Sequence, residues 1–483
     1  MVAGRSLPWY ILVGTLLATW MGSGSLFSGA GLGYRNGLAG LWSSGGAWVG
    51  IALIFFISKR IRNFGKVTVP DIFEARYGNT AAVLATITTV IAYTTIVSYQ
   101  FLGGGKVLSM VSGGLVSMET GILITAIFAI SYTVLAGMYS VVYTDVVNGI
   151  LMITGTLFAL LFLIVKVGGF SEIISVSEPL GKWQTFGNWN LERTGEISGP
   201  IIAMSFFVPT MLLLMGDANM YQRIFSAKNG GSAKKAVFFW IFGVVLLESM
   251  ISMLGLVGFV AAYKGIIPDI VKDAQNGIQI FNDTAMLEAR QSGSESVIPA
   301  IARFAGLPQV IGLLLVSTMM AIIVSTADSF LLIPATNLTR DVYQKHINTT
   351  ATEKQILFFS RTLVIFLGIV ALLLVSQFKT VLNAAFTAYN IYGTSITPAL
   401  LAAFLWKRAS KAGAIASIIT GATITIVWTY FLPSWNHFKN LNPFLQELTY
   451  PAAGLSILML IVVSLFTEPP EKASLGQFFN ESN

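Results

Sequence analysis

Long apolar stretches, repeated along nearly the whole chain, are the feature that most restricts how this sequence can fold. Of the 483 residues, 54% are hydrophobic and only 11% are charged, whereas soluble domains carry about 25% charged residues. The chain lacks the polar residues that a water-exposed surface needs, so we expect an all-α integral membrane protein. The absence of cysteine excludes disulfides and thiolate metal sites.

A transmembrane helix needs about 20 mainly apolar residues, and twelve segments of the sequence meet this requirement. They cover residues 7–33, 38–58, 80–111, 119–138, 141–168, 198–219, 236–263, 307–335, 355–376, 381–405, 412–432 and 449–467. Between the second and third spans, "VTVPDIFEARYG" indicates a short interfacial helix around a proline.

The positions of the basic residues predict the orientation of the chain. If the N-terminus is cytoplasmic, 18 of the 29 Lys and Arg residues fall in cytoplasmic segments. Most of the others lie in or beside the two longest connections, near 166–193 and 264–303, and long loops count for little in this rule. We therefore expect a multi-pass protein of the cell (inner) membrane with both termini cytoplasmic. The net charge of +7 is then explained by topology, and the expected partner is the lipid bilayer and not nucleic acid.

Two spans with unusual residues at matching positions indicate an internal repeat. Span one carries four glycines between Gly22 and Gly31, and span six carries Pro209 and ends near Asp217. The two are five spans apart, as in transporters built from inverted halves. We predict a five-plus-five inverted-repeat core over 1–405 with discontinuous first and sixth helices. The repeats cover about 7–168 and 198–405, two additional transmembrane helices follow in 406–467, and 468–483 is a cytoplasmic tail.

Ionisable residues at membrane depth are the first candidates for function, because burying one costs at least about 2.5–3.5 kcal/mol on insertion scales. Asp328 shares a helix face with Ser325 and Ser329, since residues three and four apart are neighbours on a helix. Hard cations such as Na⁺ prefer oxygen ligands, so this face predicts a cation site. We expect Lys106 to snorkel to the interface and Asp217 to be an interfacial or capping residue.

One helix offers too few oxygens for such an ion, and an unwound helix would supply the others as free backbone carbonyls. The sequence Gly22-Ser23-Gly24-Ser25 in span one is the predicted donor, because glycine weakens a helix by about 1 kcal/mol. We expect Gly29 and Gly31 to serve close helix packing instead.

Five motifs resemble, in order, those of the sodium:solute symporter family, over about residues 4–405. They are "GRSLPWY", "TVPDIFEARYG", "YTDVVNG", "YQRIFSAKN" and "AIIVSTADSFLL". The family has a leucine-transporter-type fold. The resemblance implies uptake of a small organic solute, driven by Na⁺ through alternating access, with Na⁺ as coupling ion and no organic cofactor.

The resemblance also implies a sodium site. Its ligands would be the carbonyls of Ala18, Met21 and Ile322 and the hydroxyls of Ser325 and Thr326. Some members resemble a two-sodium design, whose second site would here comprise Asp145, Ser325, Asp328 and Ser329. Such members have a serine where this chain has Asp328, a change that either strengthens a cation site or lets a proton replace the ion.

No substrate signature of the family matches. The sugar-transporting members have glutamine and glutamate where this chain has Ser25 and Ser44, and the proline transporters have an aspartate at the position of Trp20. We chose candidate solute contacts as polar residues within or bordering core spans. They are Ser25, Ser44, Tyr99, Gln100, Glu248, Tyr389 and Asn390.

Other functions remain open on the sequence. A proton-coupled or uncoupled carrier of the same fold is the main alternative, and a membrane sensor or channel is another. We do not expect an enzyme. The chain has no cysteine, and its two histidines, His346 and His437, lie in predicted loops, so no nucleophile–base pair of the usual kind forms at membrane depth. The oligomeric state is not predicted.

Overall fold

The computed structural model describes residues 5–135, 138–187, 189, 199–272, 283–432 and 441–479, and every regular element in these ranges is a helix. The α-helices are α1 (Trp9–Trp20), α2 (Ala30–Asn36), α3 (Leu41–Asn63), α4 (Val69–Tyr77), α5 (Asn79–Ser112), α6 (Met118–Leu135), α7 (Met138–Val167), α8 (Gly169–Ser177), α9 (Gly199–Gly216), α10 (Ala218–Ser226), α11 (Gly230–Tyr263), α12 (Asp283–Ser294), α13 (Val297–Phe304), α14 (Gln309–Asn337), α15 (Glu353–Leu374), α16 (Val381–Ser395), α17 (Thr397–Leu405), α18 (Lys411–Ile426), α19 (Pro443–Gln446), α20 (Thr449–Phe466) and α21 (Lys472–Phe479). π-Helical turns occur at Gly24–Gly29, Leu338–Ile347 and Val427–Phe431.

Ten helical stretches in the described ranges are long and apolar enough to cross a membrane, against twelve predicted spans. The second half of span one is followed directly by a short 3-10 turn and α3, so Gly24–Asn63 counts as one uninterrupted helical stretch. The chain nevertheless changes direction within it at Gly37, which has a φ of 60°. Predicted span ten divides at Ile396 into α16 and α17, each too short to cross alone. The all-α membrane fold is confirmed.

The first predicted span is discontinuous, as the glycine cluster indicated. α1 ends at Trp20, Met21 is extended (φ −75°, ψ 105°), and the helix resumes with the π-turn Gly24–Gly29 before α2. Gly22 and Gly24 are needed here because other groups approach closely, and neither has a positive φ. A Cβ on Gly22 would lie 2.9 Å from Gln100 Nε2.

The sixth predicted span is discontinuous at Asp217, between α9 and α10. This residue has a non-helical backbone (φ −57°, ψ 117°), and its carboxylate accepts hydrogen bonds from the N–H groups of Asn219 (2.8 Å) and Met220 (3.1 Å). The predicted capping role is confirmed. Asp217 is fully buried, and Pro209 lies inside α9 without ending it.

α2 and α11 pack with their backbones almost in contact. A Cβ on Gly33 would lie 2.2 Å from the Ser252 carbonyl oxygen, and one on Gly255 would lie 2.0 Å from the Ala30 carbonyl oxygen. Gly29 faces the same helix at an ordinary contact distance of 3.7 Å. Close packing therefore depends on Gly33 and Gly255 more than on the glycines that the sequence indicated.

Lys106 does not snorkel to the membrane interface, so that prediction is wrong. Its side chain is buried, and Nζ lies 2.5 Å from Glu295 Oε2. The Glu295 carboxylate also accepts hydrogen bonds from the N–H groups of Val381 (3.0 Å) and Leu382 (2.8 Å) at the start of α16. Lys106 stays buried because Glu295, 189 positions away in sequence, supplies the opposite charge that a buried ammonium group requires.

α4 is the short helix predicted after the second span. It begins with a capping box, in which Thr68 and Asp71 each bind the other's backbone N–H. Arg340 and Lys345 lie 3.4 and 3.3 Å from the Asp71 carboxylate. Burial alone would raise the pKa of Asp71, but the charges of Arg340 and Lys345 bring this pKa below its ordinary value. These contacts join α4 to the π-turns that follow α14.

The two helices after the core, α18 and α20, pack against each other and on α16. In the predicted tail, α21 returns to the bundle. Its residue Phe478 is buried, with ring centroids 4.6 Å from Phe64 and 5.3 Å from Phe404. The last four residues of the chain lie outside the described residues.

Candidate ion and solute site

The interrupted backbone of the first span frees carbonyl groups inside the bundle. The last regular hydrogen bond before the break runs from Met21 N–H to the Leu17 carbonyl. Ser23 N–H, which would bind the Thr19 carbonyl in a continuous helix, donates instead to Gln100 Oε1 (2.8 Å). Gln100, one of the predicted solute contacts, therefore stabilises the break itself.

The predicted sodium ligands lie at this break and on α14. Ala18, Met21, Ile322, Ser325 and Thr326 are all buried. Thr326 Oγ1 donates a hydrogen bond to the Met21 carbonyl (2.8 Å), so α1 and α14 contact each other through two of the five. All five would offer carbonyl or hydroxyl oxygens, which suit a hard cation. Among the described residues, no group of three or more His, Cys, Asp or Glu could hold a metal ion.

Asp145 lies beside this set, fully buried on α7. Its carboxylate accepts hydrogen bonds from Ser325 Oγ (2.5 Å) and Thr15 Oγ1 (2.6 Å), and Thr19 Oγ1 lies at 3.4 Å. The sequence left open whether Asp145 caps a helix. The structure instead places it in a hydroxyl-rich centre where α1, α7 and α14 meet.

Arg223, on α10, is a central residue that our sequence reasoning did not assign. Its Nη2 lies 3.2 Å from Asp145 Oδ2 and 2.9 Å from Ser329 Oγ, and its Nε donates to Thr15 Oγ1 (3.0 Å). The side chain is only 2% exposed. A guanidinium cation thus lies between two of the residues predicted for a second cation site. The motif "YQRIFSAKN" contains this arginine, but its spacing says nothing about its partners.

Asp328 is buried on α14 without a cationic partner. Neither of its carboxylate oxygens has a hydrogen-bond partner among the described residues. With Asp145 and Asn148 it lines a cavity of about 430 Å³ between α6, α7 and α14. The residues predicted for the second site are therefore neighbours, but Arg223 contacts Asp145 and Ser329 while Asp328 faces this cavity.

Glu248, near the middle of α11, forms a second polar centre. Its carboxylate accepts hydrogen bonds from Trp20 Nε1 (2.9 Å) and Trp48 Nε1 (2.8 Å), and Ser25 Oγ lies at 3.5 Å. Ser44 lies near the same carboxylate. The two indoles were not predicted as contacts of Glu248. The signal that could have found them is that a buried indole N–H requires an acceptor.

The hydroxyls of Tyr99 and Tyr389 lie close to Gly24, in the π-turn that follows the break. A Cβ on Gly24 would lie 2.7 Å from the Tyr389 hydroxyl and 3.5 Å from that of Tyr99. The rings of Trp20 and Tyr389 have centroids 6.3 Å apart. The structure thus brings Ser25, Ser44, Tyr99, Glu248 and Tyr389 around one point of the chain.

Asn390 turns away from this cluster. Its Nδ2 donates to the Phe386 carbonyl (2.9 Å), and its Oδ1 accepts from Thr449 Oγ1 (3.1 Å). It lines a separate cavity of about 450 Å³, together with Phe206 and Phe386. Phe386, which lines this cavity, also contacts Tyr389, with ring centroids 5.5 Å apart.

Comparisons with known proteins agree with this architecture. The sequence profile of the sodium:solute symporter family matches residues 1–421. The high-affinity proline transporter PutP of Bacillus subtilis is 26% identical, over 99% of this chain and 94% of its own length. The sodium/proline symporter of Escherichia coli is 25% identical, over 89% of this chain and 82% of its own.

Two solved structures have the same fold. A Na⁺-coupled sialic acid symporter superimposes with a TM-score of 0.73 at 16% identity, covering 97% of this chain and 92% of the other. The transporter MhsT, in complex with L-phenylalanine, superimposes with a TM-score of 0.57 at 13% identity, covering 94% and 98%. At these identities the likeness supports the fold alone.

Proposed function

The chain belongs to the sodium:solute symporter family, and from this membership and the geometry above we propose that it couples inward Na⁺ flow to uptake of a small organic solute by alternating access. Its curated relatives are proline transporters, so a carrier and not an enzyme is the function to test. The observation that carries the proposal is the hydrogen bond from Thr326 to the Met21 carbonyl, where a helix of the core meets the broken first span.

Na⁺ binds, in this proposal, among the carbonyls of Ala18, Met21 and Ile322 and the hydroxyls of Ser325 and Thr326. The burial of all five residues supports the assignment, as does the freed backbone at the break. An ion shared between α1 and α14 would hold these helices together. Moving them apart would open the site towards the cytoplasm and release the ion.

In this proposal one Na⁺ is transported per cycle, because a positive charge of the protein already occupies the predicted second cation site. The guanidinium of Arg223 already supplies a positive charge at Asp145 and Ser329. One Na⁺ gains about 2.3 kcal/mol from 100 mV of membrane potential and about 1.4 kcal/mol from a tenfold gradient. The sum of roughly 3.7 kcal/mol limits accumulation to about 500-fold.

The solute site lies, in this proposal, at the breaks of the first and sixth spans. Ser25, Ser44, Tyr99, Glu248 and Tyr389 contact the solute, because they surround the interrupted backbone. Gln100 keeps that backbone open. Asn390 belongs to the cavity through which the solute enters.

We further propose that both termini are cytoplasmic, in the inner membrane, and that the repeats cover 7–168 and 198–405. Arg5 binds the Gly65 carbonyl, and Leu7 N–H binds the Ser226 carbonyl (3.1 Å), so the start of the chain lies at the same end as these two basic connections. The chain has no cysteine, so single cysteines introduced at Lys66 and Gly265 can be labelled with an impermeant maleimide. Labelling at position 66 from outside intact cells would contradict the orientation.

Uptake into proteoliposomes tests the coupling. We expect accumulation of the solute, with proline as the first probe, under an inward Na⁺ gradient and none when choline replaces Na⁺. Equal uptake in both, or uptake that follows an imposed pH gradient, would reject Na⁺ coupling in favour of a proton-coupled or uncoupled carrier.

Thr326→Ala tests the ion site. The variant should raise the Na⁺ concentration for half-maximal uptake at least about tenfold, since it removes one oxygen ligand. Thr318→Val is the matched control: Thr318 is buried on the same helix but donates to the Leu151 carbonyl (2.8 Å), away from the break. Similar Na⁺ requirements in the two variants would refute the assignment.

A further inference from the structure

The carboxylate of Glu248 is hydrogen-bonded but has no cationic partner among the described residues. Every hydrogen bond that the described residues make to it comes from a neutral donor, namely two indole N–H groups and the Ser25 hydroxyl. Two of the buried cations, Arg223 and Lys106, pair with other carboxylates, Asp145 and Glu295. Glu248 is 4% exposed, so bulk water does not screen its charge either.

Neutral donors satisfy the oxygens of a carboxylate without cancelling its charge. A buried charge is costly until an opposite charge joins it. Asp145 shows the solution this protein uses elsewhere, a guanidinium 3.2 Å away. At Glu248 the chain provides no such partner, although the donors hold the carboxylate in a fixed position beside the break.

Aromatic rings surround the same point. The indoles of Trp20 and Trp48 hold the two oxygens of Glu248, and the ring of Tyr389 lies 6.3 Å from that of Trp20. Aromatic faces attract cations, most strongly where water is excluded. A carboxylate bordered by these aromatic residues is suited to a positively charged group and is unfavourable for an anion.

We propose that the transported solute carries a positively charged nitrogen, which binds between the Glu248 carboxylate and the rings of Trp20, Trp48 and Tyr389. This inference rests on the proposed function and adds the charge of the substrate to it. The class comprises amines, quaternary ammonium compounds and amino acids with a free ammonium group. It excludes sugars, monocarboxylates and other solutes without a cationic nitrogen.

Aromatic residues that contact one another extend from the cavity lined by Phe206 and Phe386 to Tyr389 at the proposed binding position. Phe206 and Phe386 contact each other edge to face, with centroids 4.9 Å apart, and Phe386 leads to Tyr389. In this proposal, a cationic solute that enters through the cavity meets aromatic residues on its way, and these favour a positive charge.

The test uses the full chain in proteoliposomes and compounds that share one carbon skeleton. Pyrrolidine, N,N-dimethylpyrrolidinium and proline carry a cationic nitrogen, whereas N-acetylproline and cyclopentanecarboxylate do not. A wider panel of amines, amino acids, sugars and carboxylates completes the set. The readouts are Na⁺-dependent uptake and Na⁺-dependent stabilisation of the purified protein.

We expect responses from cationic members only. Glu248→Gln should weaken their apparent affinity at least about tenfold, whereas Glu119→Gln, at an exposed position on α6, should leave it unchanged. If Glu248→Gln does not fold, the comparison among compounds with the unmodified chain decides alone.

Several results would overturn the inference. These are Na⁺-driven uptake of a solute without a cationic nitrogen, no response to any cationic member, or unchanged affinity in a folded Glu248→Gln variant. The first of them would leave Na⁺ coupling intact. Binding of cationic members that ignores Na⁺ would instead reject the proposed coupling and support the charge of the solute.

Discussion

Replacing Arg223 by glutamine should make the protein depend on a second sodium ion. The substitution removes the cation that lies 3.2 Å from Asp145 Oδ2 and 2.9 Å from Ser329 Oγ. Both side chains of the ion pair are almost completely buried. A carboxylate left alone in such a place costs about 3–5 kcal/mol of stability, and we expect that loss in the absence of Na⁺.

The Na⁺ dependence of stability gives the size of the effect. An ion that binds only the folded protein stabilises it by about 1.4 kcal/mol per tenfold rise in concentration once its site is near saturation. The unmodified chain, with one proposed Na⁺ site, should therefore gain about 1.4 kcal/mol of stability per tenfold rise in Na⁺ concentration. Arg223→Gln should show about 2.7 kcal/mol per tenfold rise, because a second Na⁺ binds at Asp145 and Ser329.

Thermal unfolding in lipid nanodiscs measures both effects, with choline replacing Na⁺ at constant ionic strength. The midpoint of Arg223→Gln should rise about twice as steeply with the logarithm of Na⁺ concentration as that of the unmodified chain. Asp145→Asn combined with Arg223→Gln should recover part of the stability and lose the steeper dependence.

Lys106→Gln is the control for this experiment. It breaks another buried ion pair, with Glu295, outside the ion site, and should destabilise the protein without changing the Na⁺ dependence. If Arg223→Gln has the same Na⁺ dependence as the unmodified chain, the guanidinium does not take the place of a cation, and our reasoning about one coupling ion fails.

Three further predictions follow from close contacts and from charge. Gly24→Ala should raise the KM for the solute about tenfold, because its Cβ would lie 2.7 Å from the Tyr389 hydroxyl, and adding Tyr389→Phe should restore uptake; no restoration would place the clash elsewhere. Gly255→Ala should cost about 3 kcal/mol of stability because its Cβ meets a backbone oxygen at 2.0 Å, whereas Gly454→Ala, with no atom within 4 Å of the added Cβ, should be nearly neutral in the same thermal unfolding assay. The pKa of Asp71 lies below its ordinary value, so its stabilising effect is present at neutral pH and is lost as pH falls through and below about 4; the unmodified chain should therefore lose stability on acidification more steeply than Asp71→Asn, and equal acid sensitivity would contradict the ion-pair cluster.

Breaks in helices could be predicted from the sequence because their causes are local. Glycines in an apolar segment, and an aspartate at the end of one, are visible without knowing any tertiary contact. The face formed by Ser325 and Asp328 could be predicted for the same reason, since helical spacing alone sets it. Family resemblance then placed Ala18 and Met21 beside that face.

Partners distant in sequence could not be predicted. Arg223 lies 78 positions from Asp145 and 106 from Ser329, and nothing in its own segment distinguishes it from a basic residue at the membrane surface. Trp20 and Trp48 bind a carboxylate more than 190 positions away. The prediction for Lys106 was wrong for the same reason. A long basic side chain can either snorkel to the interface or pair with a buried carboxylate, and the sequence does not show that Glu295 lies beside it.

The ion-pair cluster of Asp71, Glu74, Arg340, Asp341 and Lys345 connects α4 to the helix that carries predicted sodium ligands. Lys345 Nζ lies 2.5 Å from Glu74 and 3.2 Å from Asp341, and α14 with its π-turns runs unbroken from Thr326 to these residues. About 22 Å of helix separates Thr326 from Asp341, so under the proposed function a small rotation of this helix at the predicted sodium ligands would be enlarged at its far end. A rotation of about 10° at these ligands would move the far end by about 4 Å, enough to separate Lys345 from Asp71 and Glu74 on α4, whereas Lys345 and Asp341 would move together. If the proposed ion site holds, we therefore expect the ion pairs between α4 and this helix to form and break with the movements that bind and release the ion.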